Sequence, residues 1–600
     1  MSTAILTGQP VPGSSIEGDL RELGFDVRLA ADAAAAETEL ARVPSRERVA
    51  VVDARFVGHA HALRLGLTDP RFPLAAVPGA VTAQPDGRQA LTRAMARQTS
   101  TGGTTLVDSI ADGVVTALDA DGADVHRPEL GSLVAEVPAD PQARNEARQA
   151  VAAVDDEAIR LKSAVKARDG FFTTFFISPY SRYIARWCAR RGLTPNQVTT
   201  ASLLTALIAA GCAATGTRGG YVAAGVLLLF SFVLDCTDGQ LARYSLQYST
   251  LGAWLDATFD RAKEYAYYAG LALGAARGGD DVWALALGAM VLQTCRHVVD
   301  FSFNEANHDA TANTSPTAAL SGKLDSVGWT VWVRRMIVLP IGERWAMIAV
   351  LTAVTTPRIT LIVLLIGCAF AATYTTAGRV LRSLTRKAHR TDRAATALAD
   401  LADSGPLGTA VARVVTLGSA RRTPAFLSAA VGAVLMVGAA LIWGPSWWTA
   451  LAAVPYVLLA GEAVAHPLKG ALDWLVPPFF RAAEYLTVLV LAAKADVNGA
   501  LPAAFGLVAA VAYHHYDTVY RIRGNAGAPP AWLVRAIGGH DGRTLLVAVL
   551  AALLTAAQFT VALTVLAVVV ALVVLFESIR YWVSAHRAGS PAVHDEGETA

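Results

Sequence analysis

The sequence predicts a mostly α, polytopic helical membrane protein: a soluble α/β domain first, then a six-helix bundle, then a second helical membrane region. Three observations predict it. Hydrophobic residues make up 54% of the 600 and charged residues only 17%, less charge than a soluble chain of this size carries. Long apolar runs form two blocks, 198–379 and 425–578, with a polar stretch between them. The first 140 residues instead mix short strand-like apolar runs with Ala-rich helical ones.

In the soluble domain, residues 1–140, AVVDARFV at 50–57 and LVAEV at 133–137 suit strands, and 29–42 suits a helix. Residues 141–192 are a linker with interfacial amphipathic helices. A charged helix is expected over 141–168. The stretch 178–192 sets Tyr180, Tyr183 and Trp187 beside Arg182, Arg186, Arg190 and Arg191, which suits a helix lying in the interface. The first membrane domain covers 193–390, with spans near 198–214, 220–237, 251–276, 282–298, 344–356 and 359–379. A polar linker is expected at 391–423 and a C-terminal membrane domain of unassigned role at 424–582. Its spans lie near 425–443, 447–465, 482–497, 499–516, 543–558 and 560–578, and 583–600 is a polar tail. The total is near twelve, and no internal repeat is evident.

Basic residues orient the chain. The loop after span two, the connection 299–343 with Lys323, Arg334 and Arg335, its neighbour Arg344, and the run RVLRSLTRKAHRTDR at 379–393 fall on one side. The opposite loops hold little beyond Arg218, Arg277 and Arg358. The positive-inside rule puts the N-terminal domain on the cytoplasmic side of a cell membrane. The opening MSTAILTGQPVPG lacks the basic flank and apolar core of a signal peptide. A net charge of +2 gives no reason to expect a nucleic-acid partner. The five cysteines, Cys188, Cys212, Cys236, Cys295 and Cys368, show no zinc or disulfide spacing.

The chemistry concentrates in residues 235–260, DCTDGQLARYSLQYSTLGAWLDATFD. Asp235, Asp238 and Ala242 stand at i, i+3 and i+7 on one helix face; Gly252, Asp256 and Asp260 stand at i, i+4 and i+8 on another. Two facing helices would aim four carboxylates into one cavity. Acids are costly at membrane depth, and an oxygen cage suits Mg²⁺ with substrate phosphates as further ligands. The competing reading is that the acids pair with Arg243, Arg261 or Lys263 and only fix packing.

The stretch resembles the signature D-x2-D-G-x2-A-R-x8-G-x3-D-x3-D of the CDP-alcohol phosphotransferase family, also called CDP-alcohol phosphatidyltransferases. All eight specified positions are present, a chance match on the order of 10⁻⁹ at one start point, from average residue usage. The resemblance is confined to residues 165–390. It implies that Asp235, Asp238 and Asp256 bind Mg²⁺ or Mn²⁺ together with the CDP pyrophosphate. Asp260 would be the general base and would also touch metal. Gly239 and Ala242 would let the nucleotide approach the backbone, Arg243 would meet a phosphate, and Gly252 would permit close helix approach. The implied reaction transfers a substituted phosphate group from a CDP-alcohol, either CDP-diacylglycerol or a CDP-polyol, to an acceptor hydroxyl, and releases CMP. Partners are then the donor, the acceptor and membrane lipids, and a homodimer is compatible with this reading.

TPNQVT at 194–199 resembles the family segment before the first span, where Thr194 and Asn196 would border the nucleotide; a plain helix start explains the same residues. RRMIVLPIGERWA at 334–346 resembles the inositol-phosphate branch. There Arg296, Arg334, Arg335 and Arg344 would hold the phosphate of a phosphorylated polyol, while positive-inside topology explains arginines here as well. In the C-terminal region, YHHYDTVYR at 513–521 and GGHDGR at 538–543 admit a second site, a headgroup site or interfacial salt bridges. The N-terminal domain occupies the place where some family members fuse a nucleotidyltransferase. AILTGQPVPGSS at 4–15 has no basic residue before Arg21, so the domain reads as degenerate or regulatory, and Asp53 as a strand-end cap. The reading from another class is a transporter or flippase that uses intramembrane acids; the paired repeats common in that class are not evident.

Overall fold

The computed structural model describes residues 2–9, 11–100, 109–166, 169–314, 332–333, 336–385, 387–418 and 423–587. Strands β1 (Ser2–Thr7), β2 (Phe25–Ala30), β3 (Arg48–Asp53), β5 (Leu74–Val77) and β6 (Ala80–Ala83) make one sheet in the order β2-β1-β3-β6-β5. β1 runs parallel to β2 and β3, and β6 runs antiparallel to β3 and β5. The helices α1 (Ile16–Glu22), α2 (Ala33–Arg42), α3 (Ala60–Leu67), α4 (Arg88–Ser100) and α5 (Ile110–Ala120) give the sheet an apolar layer on each face. The short β4 (Val57–Gly58) pairs with β7 (Ala135–Glu136).

Open α/β sheets offer nucleotides a crevice at the carboxyl ends of their strands. Here the chain itself packs over the loops that leave β1 and β3. Arg148 donates to the Gly13 carbonyl at 2.7 Å, and Val134 N donates to His59 Nδ1 at 2.9 Å. Gly79, at φ 75°, lies so close to Val137 that a Cβ would collide with it. Asp53 ends β3 and is held by Arg55 at 2.8 Å.

The charged helix expected over 141–168 is two helices, α6 (Pro141–Ala152) and α7 (Asp156–Ser163). The break follows from Asp155, whose side chain caps the second helix by accepting from Ala158 N at 3.0 Å. α8 (Ser178–Arg190) leaves Tyr180, Tyr183 and Trp187 exposed.

The six middle spans are α9 (Pro195–Ala214), α10 (Arg218–Ser245), α11 (Thr250–Arg277), α12 (Trp283–Asn307), α13 (Ile341–Val354) and α14 (Pro357–Thr385). The C-terminal part holds α17 (Ala425–Trp443), α18 (Trp447–Val464), α19 (Val476–Lys494), α20 (Ala500–Arg523), α21 (Ala531–Ala536), α22 (Gly539–Leu553) and α23 (Ala556–Arg587). Among the described residues, eight helical stretches are long and apolar enough to cross a membrane: Pro195–Ala214, Arg218–Ser245, Pro357–Thr385, Ala425–Trp443, Trp447–Val464, Asp473–Lys494, Ala531–Leu553 and Ala556–His586. The protein is multi-pass. The other expected spans, α11, α12, α13 and α20, are also helices, but α13 has only 14 residues and the rest carry charges.

The stretch 391–423, expected as a polar linker, is largely helical. α15 (Asp392–Ala402) and α16 (Pro406–Gly418) pack on the C-terminal helices, and α15 buries Ala394, Ala395, Leu398 and Leu401. Its polar residues lie on the opposite face, which is why composition reads as a linker.

Small residues set the helix spacing around the motif. A Cβ on Gly270 or Gly274 of α11 would strike the carbonyls of Ala210 or Ala213 on α9. Ser202 and Ser231 each donate to the other's carbonyl at 2.8 Å and tie α9 to α10.

Candidate active site between two helices

The expected loop after the second span shrinks to residues 246–249, because α10 runs on to Ser245 and carries Asp235, Asp238, Gly239, Ala242 and Arg243 in its final turns. Leu246, at φ 53°, ends the helix in the left-handed region. Ser249 then caps α11 by accepting from Gly252 N at 2.9 Å. The tight turn brings the two motif faces together. Carboxylate oxygens of Asp235, Asp238 and Asp256 all lie within 4.8 Å of one another.

Asp238 is buried, and its Oδ2 has no hydrogen-bond partner. A buried carboxylate oxygen without a donor is costly unless a cation completes it. The donor set is all-oxygen and anionic, which fits a hard divalent cation.

Asp260 stands outside that trio. Its carboxylate pairs with the Lys263 ammonium at 3.0 Å, and the same ammonium pairs with Asp235 and lies 3.1 Å from Ser202 Oγ. Lys263 is fully buried and lies 5.6 Å from the Trp345 ring centroid. The packing reading expects Lys263 as a partner of the acids, and that pairing is present. It answers Asp235 and Asp260 and leaves Asp238 Oδ2 unanswered.

The neighbouring motif residues take distinct places. A Cβ on Gly252 would come within 2.8 Å of Asn196 Oδ1, so Asn196 borders the motif. Thr194 forms the capping box of α9 with Gln197, its N–H donating to Gln197 Oε1 at 2.9 Å. A Cβ on Gly239 would meet only the Arg243 guanidinium, at 3.5 Å. Arg243 Nε donates to the Ala164 carbonyl at 2.6 Å, which leaves its two Nη atoms over Gly239.

Residues 192–372 match the family described as CDP-alcohol phosphatidyltransferase. The matched stretch runs from just before α9 into α14 and includes both motif helices. Residues 392–600 match a family of unknown function, DUF5941, whose boundary coincides with the start of α15. Three curated relatives align with parts of the chain. A phosphatidylinositol phosphate synthase of Streptomyces avermitilis is 32% identical over 130 residues, 20% of this chain and 51% of that protein. A bifunctional IPC transferase and DIPP synthase of Aquifex aeolicus is 28% identical over 210 residues, 34% of this chain and 46% of its own length. An archaetidylinositol phosphate synthase of Pyrococcus horikoshii is 31% identical over 113 residues, 19% and 58% respectively. The chain thus spans about half the length of the curated relatives it matches.

Within the matched stretch, the arginines considered for an acceptor phosphate part company. Arg334 and Arg335, like Lys323, lie outside the described residues. Arg344 is buried and engaged, its Nε 3.1 Å from Glu264 Oε1. Arg296 is buried too; it donates from Nη2 to the Val338 carbonyl, while Nε and Nη1 have no hydrogen-bond partner. The motif does not reveal Glu264 as the partner of Arg344. Its place four residues after Asp260 is the signal that points to it. Lys263, at i+7 from Asp256 and i+3 from Asp260, is legible in the same way.

The polar residues of the C-terminal region form two buried networks. Asp403 accepts from Arg481 at 3.0 Å, from Arg543 at 2.8 Å and lies 3.2 Å from His514 Nε2. Glu484 takes the other side of Arg481 at 3.0 Å and also binds Arg543. Asp517 accepts from Trp582 Nε1 and Ser578 Oγ, both at 2.7 Å, and pairs with Arg521, which reaches Glu577 at 2.7 Å. His540 bonds Tyr456 at 2.7 Å, and Asp541 accepts from Gly405 N and Gly408 N. Among the described residues, only the Asp235–Asp238–Asp256 group meets the geometry of a metal cluster.

Proposed function

We propose that the protein transfers a substituted phosphate group from a CDP-alcohol to an acceptor hydroxyl and releases CMP, at the cytoplasmic face of a cell membrane. The observation that carries this reading is the trio of carboxylates converging from two helices, with one buried oxygen left unanswered. Asp235, Asp238 and Asp256 would hold Mg²⁺ or Mn²⁺, which supplies charge neutralisation at the pyrophosphate when bound. The Nη atoms of Arg243 over Gly239 suit a phosphate oxygen pair, and the absent side chain at Gly239 leaves room for it. Asp260 takes the proton of the acceptor hydroxyl. The Lys263 ammonium, 3.0 Å away, orients the Asp260 carboxylate for that transfer. The oxygen then attacks the phosphorus distal to cytidine, and CMP departs.

A phosphorylated polyol acceptor, of the inositol-phosphate kind, is the specific reading. The names of the three relatives and the buried Arg296, with two nitrogens unpaired, support it. The test incubates purified full-length protein with Mg²⁺, CDP-diacylglycerol and a panel of phosphorylated and free polyols, and measures CMP. Phosphorylated acceptors should turn over faster. Arg296→Met should raise their KM about tenfold while changing the donor KM little, a loss of one charge-assisted contact. Equal use of free and phosphorylated alcohols would remove the acceptor reading. No CMP from any pair or donor would remove the transferase reading and leave transport.

A further inference from the structure

The helix α11 has two working faces. Asp256, Asp260 and Lys263 stand at i, i+4 and i+7 and look toward α10. Trp254 and Arg261, seven residues apart, stand on a second face that meets the C-terminal bundle. Trp254 stacks on Trp582 of α23, ring centroids 5.9 Å apart and planes 19° from parallel. Arg261 lies 5.6 Å from the Tyr516 ring of α20. The Tyr516 hydroxyl bonds His297 Nδ1 on α12, and the other ring nitrogen of His297 lies 2.8 Å from Gln293 Nε2. Trp582 is itself fixed by its bond to Asp517, and Asp517 by Arg521 and Ser578.

These contacts bracket the acids. Trp254 lies two residues before Asp256, and Arg261 lies next to Asp260. Any rotation or slide of α11 moves both anchors. All four aromatic and imidazole groups are buried or nearly so, with Trp582 4% and Tyr516 4% exposed. An interface that only tethered two domains would have no need to seat its anchors on the catalytic helix, at the residues flanking the acids.

We infer that the DUF5941 half is a structural part of the catalytic centre: Trp582 and Tyr516 are positioning residues that hold α11 in the register at which Asp256 meets Asp235 and Asp238. The inference rests on the metal-site reading above. It gives the C-terminal half a role that needs no chemistry of its own. Groups that orient metal-binding residues typically carry about 10- to 100-fold in metal affinity.

The experiment measures Mn²⁺ binding by electron paramagnetic resonance on the purified full-length protein, with no substrate added. Trp582→Ala and Tyr516→Phe should each weaken Mn²⁺ binding by about tenfold or more. Trp582→Phe, which keeps a ring against Trp254, should recover most of the affinity. Tyr456→Phe loses a buried hydrogen bond elsewhere in the same bundle and should bind Mn²⁺ as the wild type does. Where Trp582→Ala fails to fold, Tyr516→Phe carries the test. Wild-type affinity in Tyr516→Phe and folded Trp582→Ala, or equal weakening in Tyr456→Phe, would overturn the inference. Asp238→Asn separates the two levels: if the wild type itself bound no Mn²⁺ that Asp238→Asn abolishes, the metal-site reading would fail first.

Discussion

The two helical halves of this membrane protein pair charge in opposite ways. In the C-terminal half, Asp403 and Glu484 are answered by Arg481 and Arg543, and none of these four residues is more than 4% exposed. In the half that carries the motif, Lys263 pairs with Asp235 and Asp260, and among the described residues Asp238 Oδ2 has no hydrogen-bond donor. A saturated cluster has no use for a ligand, because any entering ion would have to break a pair already made. One with an unanswered carboxylate oxygen leaves a place that a cation can complete. Number of acids is therefore a poor guide to function at membrane depth, and balance is a good one.

The sharpest way to break this comparison is to remove a ligand. Asp238→Asn keeps shape and deletes an anion. Turnover should fall by orders of magnitude, and Mn²⁺ binding should be lost with it. Normal turnover would mean that the unanswered oxygen is incidental. Asp260→Asn should behave differently, because Asp260 stands with Lys263 and outside the trio. Turnover should drop about 10²- to 10⁴-fold, the usual cost of losing a general base, while donor and Mn²⁺ still bind. If Asp260→Asn abolished metal binding as fully as Asp238→Asn, Asp260 would be a ligand, and the base would have to be sought elsewhere.

The saturated cluster predicts a different kind of loss. Asp403→Asn strands Arg481 and Arg543 beside one remaining carboxylate. Breaking a buried pair typically costs about 3–5 kcal/mol, so thermal unfolding in detergent should come markedly earlier. Mn²⁺ affinity of the folded protein should stay within about twofold, since no acid of the metal trio is touched and distant sites without shared partners act independently. A large loss of Mn²⁺ affinity with no loss of stability would make the C-terminal cluster part of the chemistry.

Much of this architecture is legible in the amino-acid sequence. The eight motif positions specify the two faces of α10 and α11, and apolar runs locate the helices. Two features escape sequence reasoning for physical reasons. Residues 391–423 look like a linker because Asp392, Arg393, Asp400 and Asp403 raise their polarity, yet Ala394, Leu398 and Leu401 recur at helical spacing and are buried. The stacking of Trp254 on Trp582 joins residues more than three hundred positions apart, and no periodicity within either helix encodes a pairing of that range.

The smallest effect is expected in the N-terminal domain, where the motif aspartates do not lie. Arg160 of α7, in the linker that follows the domain, donates to the Tyr244 carbonyl at 2.9 Å and stacks on its ring at 3.6 Å, so α7 grips the end of α10. His61 of α3 lies buried nearby, with neither ring nitrogen hydrogen-bonded. Burial, and then the positive charges of Arg160 and Arg64, push its pKa down to about 4. The folded value lies below the unfolded one of about 6.5, so the folded form binds fewer protons in this range. Its contribution is complete above about pH 6.5 and is lost as pH falls toward about 4, at up to about 1.4 kcal/mol per pH unit. His61→Gln, which cannot titrate, should lack that component. Pulse proteolysis of the two full-length proteins side by side should give a stability difference that shifts against the wild type below about pH 6.5 and is flat above it. Mn²⁺ affinity of the folded protein should not differ between them at any of these pH values. A flat difference across the whole range would mean that His61 is solvated or partnered, and a shared loss of Mn²⁺ affinity would mean that the grip on α10 reaches the metal trio.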